Sequence, residues 1–332
     1  MSCTRPLHFR MLSLPLVILA FCGACSGGGT PPPKGPTPVE DLPIPDDYVG
    51  PIDPEWPPSH PADLEVELRA GRLLRERQDQ GERVNPKETL FEGDYSNVYA
   101  SQGRIGNFDY IESIVGDVES IDDELPLVVL LHGRGGRPSI PYAGMAGDPP
   151  VRVFSPRAPD RLGKNGFTWF ATWSTSGQTE LLARSIVGRA DELAPAIQAY
   201  SKLRPTRGKP IVAGFSQGGI LTYALVTRYP DLFAAAFPVA GWIPEANLPK
   251  RPKEGSKYPL IHAMHGTIDE TVPFAEGRAT VEALGRLGIT VEFTEVPGIA
   301  HEVTPEMGQS VRGWIGNVLF PGQRTIRRAS SR

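Results

Sequence analysis

Residues 209–221 read Lys-Pro-Ile211-Val-Ala-Gly214-Phe-Ser216-Gln-Gly218-Gly219-Ile-Leu221. An apolar run rich in β-branched residues ends on Gly-x-Ser-x-Gly, and the positions after it follow helical spacing through Ile220, Leu221, Ala224 and Leu225. The run Ile211-Val-Ala closed by glycine suits a buried strand, and the period then changes to that of a helix. A serine on so short a strand-to-helix turn is forced into a strained conformation. Flanking glycines let the two backbones approach closely enough to make that turn. Its hydroxyl is carried to the apex of the turn, beside a helix N-terminus that favours developing negative charge. Ser216 is therefore the candidate nucleophile.

Working outward, similar apolar runs occur at 126–131, 151–154, 233–239, 260–264 and 290–296. Helical patterns lie between them. Leu182, Ile186, Leu193 and Ile197 share one face, as do Met307, Val311, Trp314, Ile315, Val318 and Leu319 near the end. Continuous apolar strands alternating with helices predict an α/β fold, a mostly parallel central sheet covered by helices on both faces. Short β-prone stretches within 95–117 add strands at the start, and 62–80 carries a charged, amphipathic pattern expected to be helical.

In sheets of this kind catalytic groups gather at the carboxyl ends of the strands. With a serine nucleophile, the partners expected downstream are an acid and then a histidine. Of the six histidines only His301 follows any plausible acid. It lies in Pro297-Gly-Ile-Ala-His301-Glu, between the last strand and the last helix. Asp231 and Asp269 are the aspartates between Ser216 and His301. Asp231 sits in a Tyr-Pro-Asp-Leu-Phe turn, whereas Asp269 follows the 260–266 strand, so Asp269 is the candidate acid and Glu270 the runner-up. Acyl transfer also needs donors aimed at the oxyanion. The main-chain N–H of Gln217 supplies one. The Leu131-His132-Gly133-Arg134-Gly135-Gly136 loop supplies the other, through Arg134 N–H. Trp169, Trp173 and Trp242 are candidate substrate-binding aromatics.

A formal charge of −4 argues against nucleic-acid binding, which needs a basic face. Arg5 and Arg10 precede an apolar run at 11–21, and Cys22-Gly-Ala-Cys25 follows. That pattern predicts a lipoprotein-type signal peptide over 1–24, with Cys25 the lipidated residue. The three cysteines, Cys3, Cys22 and Cys25, all lie in this leader, so processing would leave no thiol in the folded part. Residues 25–61, dense in Pro and Gly, form an expected tether. The catalytic domain is expected over 62–320, with N-terminal strands and a helix in 62–125, and 321–332 forms a basic tail. The expected location is extracytoplasmic, anchored by lipid to a bacterial membrane at the periplasm or cell surface.

His132-Gly-Arg-Gly, Gly214-Phe-Ser-Gln-Gly-Gly219, Ala240-Gly-Trp-Ile-Pro244, His265-Gly-Thr-Ile-Asp269-Glu-Thr-Val-Pro273 and the 298–301 segment occur in one order. Over residues 126–320 this resembles the phospholipase/carboxylesterase family, which includes acyl-protein thioesterases. The resemblance implies an α/β-hydrolase fold, carboxylic ester substrates and no cofactor; no metal is expected, because a serine–histidine pair generates its nucleophile without a Lewis acid. Ser216, Asp269 and His301 fall on that family's triad positions, and Arg134 and Gln217 on its oxyanion positions. A carbohydrate or polymer esterase of feruloyl or acetyl type is an alternative on the same fold. A catalytically silent lipoprotein is a further one.

Overall fold

The computed structural model describes residues 98–322, apart from 117, 119–122, 139–149, 164–165 and 171–177. The predicted leader, Cys25, the tether, the 62–80 helix, Trp173 and the tail beyond 322 lie outside the described residues.

Strands β1 (Val98–Ile105) and β2 (Phe108–Val115) form an antiparallel hairpin. Gly106, the first of its two turn residues, has a φ of 54°, the position at which such hairpins call for glycine. Strand β2 pairs antiparallel with β4 (Val151–Pro156), and β4 pairs parallel with β3 (Leu127–Leu131). Strand β3 lies parallel to β7 (Ile211–Phe215), followed by β8 (Ala235–Val239), β9 (Leu260–Gly266) and β10 (Val291–Val296), all parallel. The sheet order is β1-β2-β4-β3-β7-β8-β9-β10. This is the predicted α/β-hydrolase architecture, a mostly parallel central sheet. A separate small ribbon pairs β5 (Asp160–Leu162) with β6 (Gly166–Thr168).

The two-residue period of the strands sorts their side chains to two cores. Leu127, Val129, Leu131, Val212 and Ala236 face helices α1 (Thr179–Leu203), α2 (Gln217–Arg228) and α3 (Phe274–Arg286). Val128, Ile211, Ala213, Ala235 and Phe237 face the opposite way. There α4 (Pro305–Leu319) covers them with Val311, Trp314, Ile315, Val318 and Leu319. The helical stripe read from the sequence is the face that α4 lays on the sheet.

Two details differ from the sequence reading. The strand expected at 233–239 starts at Ala235, because Pro230–Leu232 forms a short 3-10 turn that accommodates the proline. Helix α3 was not anticipated. Its Gly277 and Gly285 weaken the local helical signal, and packing supplies what propensity lacks.

Candidate active site

Strand β7 runs into α2 through a single residue, Ser216, whose backbone lies at φ 56°, ψ −120°. For a residue with a side chain this is a strained conformation, costing on the order of 1–3 kcal/mol. Close packing holds it there. A Cβ on Gly218 would lie 2.1 Å from Leu131 O, one on Gly214 2.4 Å from Gly218, and one on Gly219 2.6 Å from Val239 O. The Ser216 N–H donates to Val239 O at 3.0 Å. The turn is thus clamped between β3 on one side and β8 on the other.

Beside it, His301 Nε2 lies 2.9 Å from Ser216 Oγ, and His301 Nδ1 lies 2.7 Å from Asp269 Oδ2. A carboxylate only accepts, so Nδ1 carries the proton in this contact. The lone pair of Nε2 then faces the serine hydroxyl. The ring of Phe215 lies against His301 with centroids 4.8 Å apart, limiting its tilt. The Asp269 carboxylate is wholly buried. Its Oδ1 accepts from the backbone N–H groups of Thr271 at 3.0 Å and Val272 at 2.9 Å. Burial pushes this carboxyl up, but hydrogen bonds from His265 and His301, the charge of His301 and the Val272 N–H outweigh burial. The net effect holds it well below the usual carboxylate range. The structure therefore brings Ser216, His301 and Asp269 into one hydrogen-bonded chain. Glu270 is exposed, and Asp231 accepts from Ser256 Oγ at 2.6 Å in a surface turn.

The loop after β3 forms the opposite wall. Gly136 N–H donates to Gly133 O at 3.1 Å, closing a turn around Arg134 and Gly135. Gly135 N–H and Phe167 N–H bind this loop to β6. His132 is buried and pinned at both nitrogens. Nδ1 lies 2.7 Å from Gly133 O, and Nε2 accepts from Ala158 N at 3.0 Å. Burial lowers its pKa to about 4 against an opposing hydrogen bond to Gly133 O, with the charges of Arg157 and Arg137 adding to the lowering. The ring is neutral at ordinary pH. Gln217, first residue of α2, has a backbone N–H that the helix ladder leaves without an intrahelical partner. Its side chain is fixed. Oε1 accepts from Thr168 Oγ1 and Trp169 N, both at 3.0 Å, and Nε2 donates to Phe170 O at 3.0 Å. The elbow and the 168–170 segment are thereby tied together.

Of the candidate aromatics, Trp169 requires a correction. It is fully buried, and its indole N–H donates to His132 O at 2.7 Å. It is a core strut under the loop and not a substrate contact, because its polar edge and its ring are both already used. Trp242 is also largely buried, just after β8. His132 and His265 are site residues that sequence reasoning passed over. Each opens one of the motifs that flank the serine, and that was the available signal. Among the described residues no cluster of His, Cys, Asp and Glu is arranged to hold a metal ion.

A family model described as phospholipase/carboxylesterase matches residues 117–319, and the chain belongs to that family. Carboxylesterase SOBER1 of Arabidopsis thaliana is 34% identical over 106 residues, 31% of this chain and 46% of that protein. Lysophospholipase-like protein 1 of Mus musculus is 26% identical over 181 residues, 52% of this chain and 75% of that protein. The match thus spans less than half the length of the Arabidopsis relative. The crystal structure of esterase PE8 superposes with a TM-score of 0.49 at 20% identity, over 62% of this chain and 99% of that one.

Proposed function

We propose that this protein is a serine hydrolase that cleaves carboxylic esters through an acyl-enzyme. The observation that carries the reading is the Ser216–His301–Asp269 chain at 2.9 and 2.7 Å, mounted on a strained elbow. As Ser216 Oγ attacks the ester carbonyl, its proton passes to His301 Nε2, and Asp269 stabilises the resulting imidazolium. The backbone N–H groups of Gln217 and Arg134 receive the oxyanion. Collapse of the tetrahedral adduct breaks the bond to the alcohol, which leaves with the proton from His301. Water then repeats the sequence on the acyl-serine, releasing the acid and regenerating Ser216.

Labelling by a fluorophosphonate and turnover of p-nitrophenyl esters test this reading. Wild type should label and turn over. Ser216→Ala should not label and should lose at least about 10⁴-fold in kcat, with its thermal midpoint little changed. Turnover in Ser216→Ala near the wild-type rate would end the proposal.

We also propose that the mature chain is lipid-anchored through Cys25 and works outside the cytoplasm. The short apolar run, the small residues before Cys25 and the Pro/Gly-rich 25–61 stretch support this. Wild type should sediment with membranes and Cys25→Ala should not. Equal release of both would remove the anchor.

A further inference from the structure

Asp269 has a second histidine on it. His265, at the end of β9, is 1% exposed. Its Nε2 lies 2.9 Å from Val272 O and 3.3 Å from Asp269 Oδ2. Both neighbours are acceptors, so this nitrogen must carry a hydrogen and share it between them. The Asp269 oxygen it meets is the one that accepts from His301 Nδ1. The carboxylate therefore receives N–H groups from Thr271 and Val272 on Oδ1 and from both imidazoles on Oδ2.

The ring of His265 is held from behind by α3. A Cβ on Gly277 would lie 2.3 Å from His265 Nδ1, so the helix comes this close only because position 277 has no side chain. Phe274 meets the ring edge-on, with centroids 5.8 Å apart. The same imidazole grips Val272 O, and Val272 N–H is one of the donors to Asp269. One buried side chain thus fixes both the acid and the turn that presents it.

We propose that His265 is a positioning residue of the active site, one that sets the orientation of Asp269 Oδ2 and takes a share of its charge away from His301. This rests on the serine-hydrolase reading above. The physical reason is competition at one oxygen. A second donor on Oδ2 weakens the support the carboxylate gives, through Nδ1–H, to the His301 imidazolium, so Nε2 gives up its proton more readily to the leaving group. The other ionisable groups nearby are Ser216 on the elbow, Glu270 beside Asp269 and Glu302 beside His301. Glu276 and Glu306 open α3 and α4, and all four glutamates are exposed to solvent. Arg278 of α3 is engaged with Glu295 at 2.6 Å.

Two measurements test this. In wild-type protein with ¹⁵N-labelled histidine, NMR should show His265 protonated at Nε2 and bare at Nδ1. The reverse tautomer overturns the proposal whether or not the protein hydrolyses esters. The second is the pH profile of kcat/KM on a p-nitrophenyl ester. His265→Gln keeps an N–H donor at the Nε2 position. His265→Leu removes it, and His265→Asn places its amide too short to reach, which serves if the leucine variant does not fold. The acid limb should move to higher pH by about half to one unit in the Leu or Asn variant, a threefold to tenfold loss of kcat/KM on that limb. In the Gln variant it should stay within about 0.2 units. Coincident limbs in wild type and the loss variant, or a Gln variant indistinguishable from it, would refute the role. A wild type inert toward esters would instead refute the hydrolase reading, and the tautomer measurement would still stand on its own.

Discussion

On the β3 side of Ser216, His132 is enclosed and accepts a backbone N–H at Nε2. On the β9 side, His265 is equally enclosed and donates from the same atom, toward Val272 O and Asp269. The difference follows from what each wall must do. The β3 wall carries a backbone N–H proposed to receive the oxyanion, a task that needs a rigid, neutral frame. His132 provides one by tying Gly133 O, Ala158 N and, through its own carbonyl, the indole of Trp169. The β9 wall holds a buried carboxylate, and burying an anion is costly unless donors surround it. There the histidine acts as one of several N–H groups that make the charge tolerable. The same side-chain type thus gives a spacer on one wall and a charge partner on the other.

The sharpest way to break this comparison is to remove the charge from one wall alone. Asp269→Asn keeps the size of the acid but places an amide among four N–H donors. At least one donor loses its acceptor, and an amide N–H facing His301 would favour the tautomer with the proton on Nε2, where the serine proton must go. A fall in kcat/KM of about 10³- to 10⁴-fold is expected, with the β3 wall undisturbed. Steady-state kinetics measures it. A loss smaller than tenfold would mean that Asp269 does not orient His301.

The two walls were not equally legible in the sequence. Ser216 stood out because a strained turn has a local signature, glycines between a strand period and a helix period. His301 and Asp269 were reached by chain order and elimination, since the strands that precede each of them were themselves readable. Helix α3 was not, although it holds His265 in place. Gly277 is poor helix sequence, and its reason, the close approach to an imidazole ring, exists only in three dimensions. Trp169 failed for a related cause. An aromatic near the right strand looks like a ligand contact until the partner of its N–H is seen, and His132 O is 37 positions away in the chain. The buried tie between Gln217 and the 168–170 segment spans a comparable separation and left no local trace.

That tie gives the next prediction. Gln217→Ala retains the backbone N–H proposed for the oxyanion but strips the acceptor from Trp169 N and a donor from Phe170 O, while Thr168 Oγ1 keeps Phe170 O as its acceptor at 2.8 Å. Leaving a buried polar group unsatisfied costs about 1–3 kcal/mol, so the urea midpoint should fall. The loosened elbow should also lose roughly tenfold to a hundredfold in kcat, the low end of what a misplaced oxyanion donor costs. If kcat is unchanged while stability drops, the side chain serves the fold only and the β3 wall is stiffer than drawn.

The smallest expected effect concerns stability against pH, and it separates the walls by where each one fails. His132 has a folded pKa near 4 against an ordinary value of 6.5. Between those values the unfolded chain binds a proton that the folded chain does not. Stability therefore rises with pH across that window and is lost as pH falls from 6.5 toward 4. His262, lowered by partial burial against the ring of Trp314, adds in the same direction. Asp269 has the opposite ordinary charge but also a depressed folded pKa. Its contribution is fully present above the unfolded carboxylate value, about 3.9, and is lost only below it. Acidification should thus loosen the β3 wall first and the β9 wall later. Urea unfolding at intervals from pH 7.5 to 4.5 should show wild type losing about 1–2 kcal/mol below pH 6.5. His132→Gln keeps an acceptor for Ala158 N and cannot titrate. It should start less stable at pH 7.5 yet show a shallower slope between pH 6.5 and 4.5. Parallel slopes for the two proteins would mean that another group carries the acid sensitivity, and that His132 is not the titrating element of this wall.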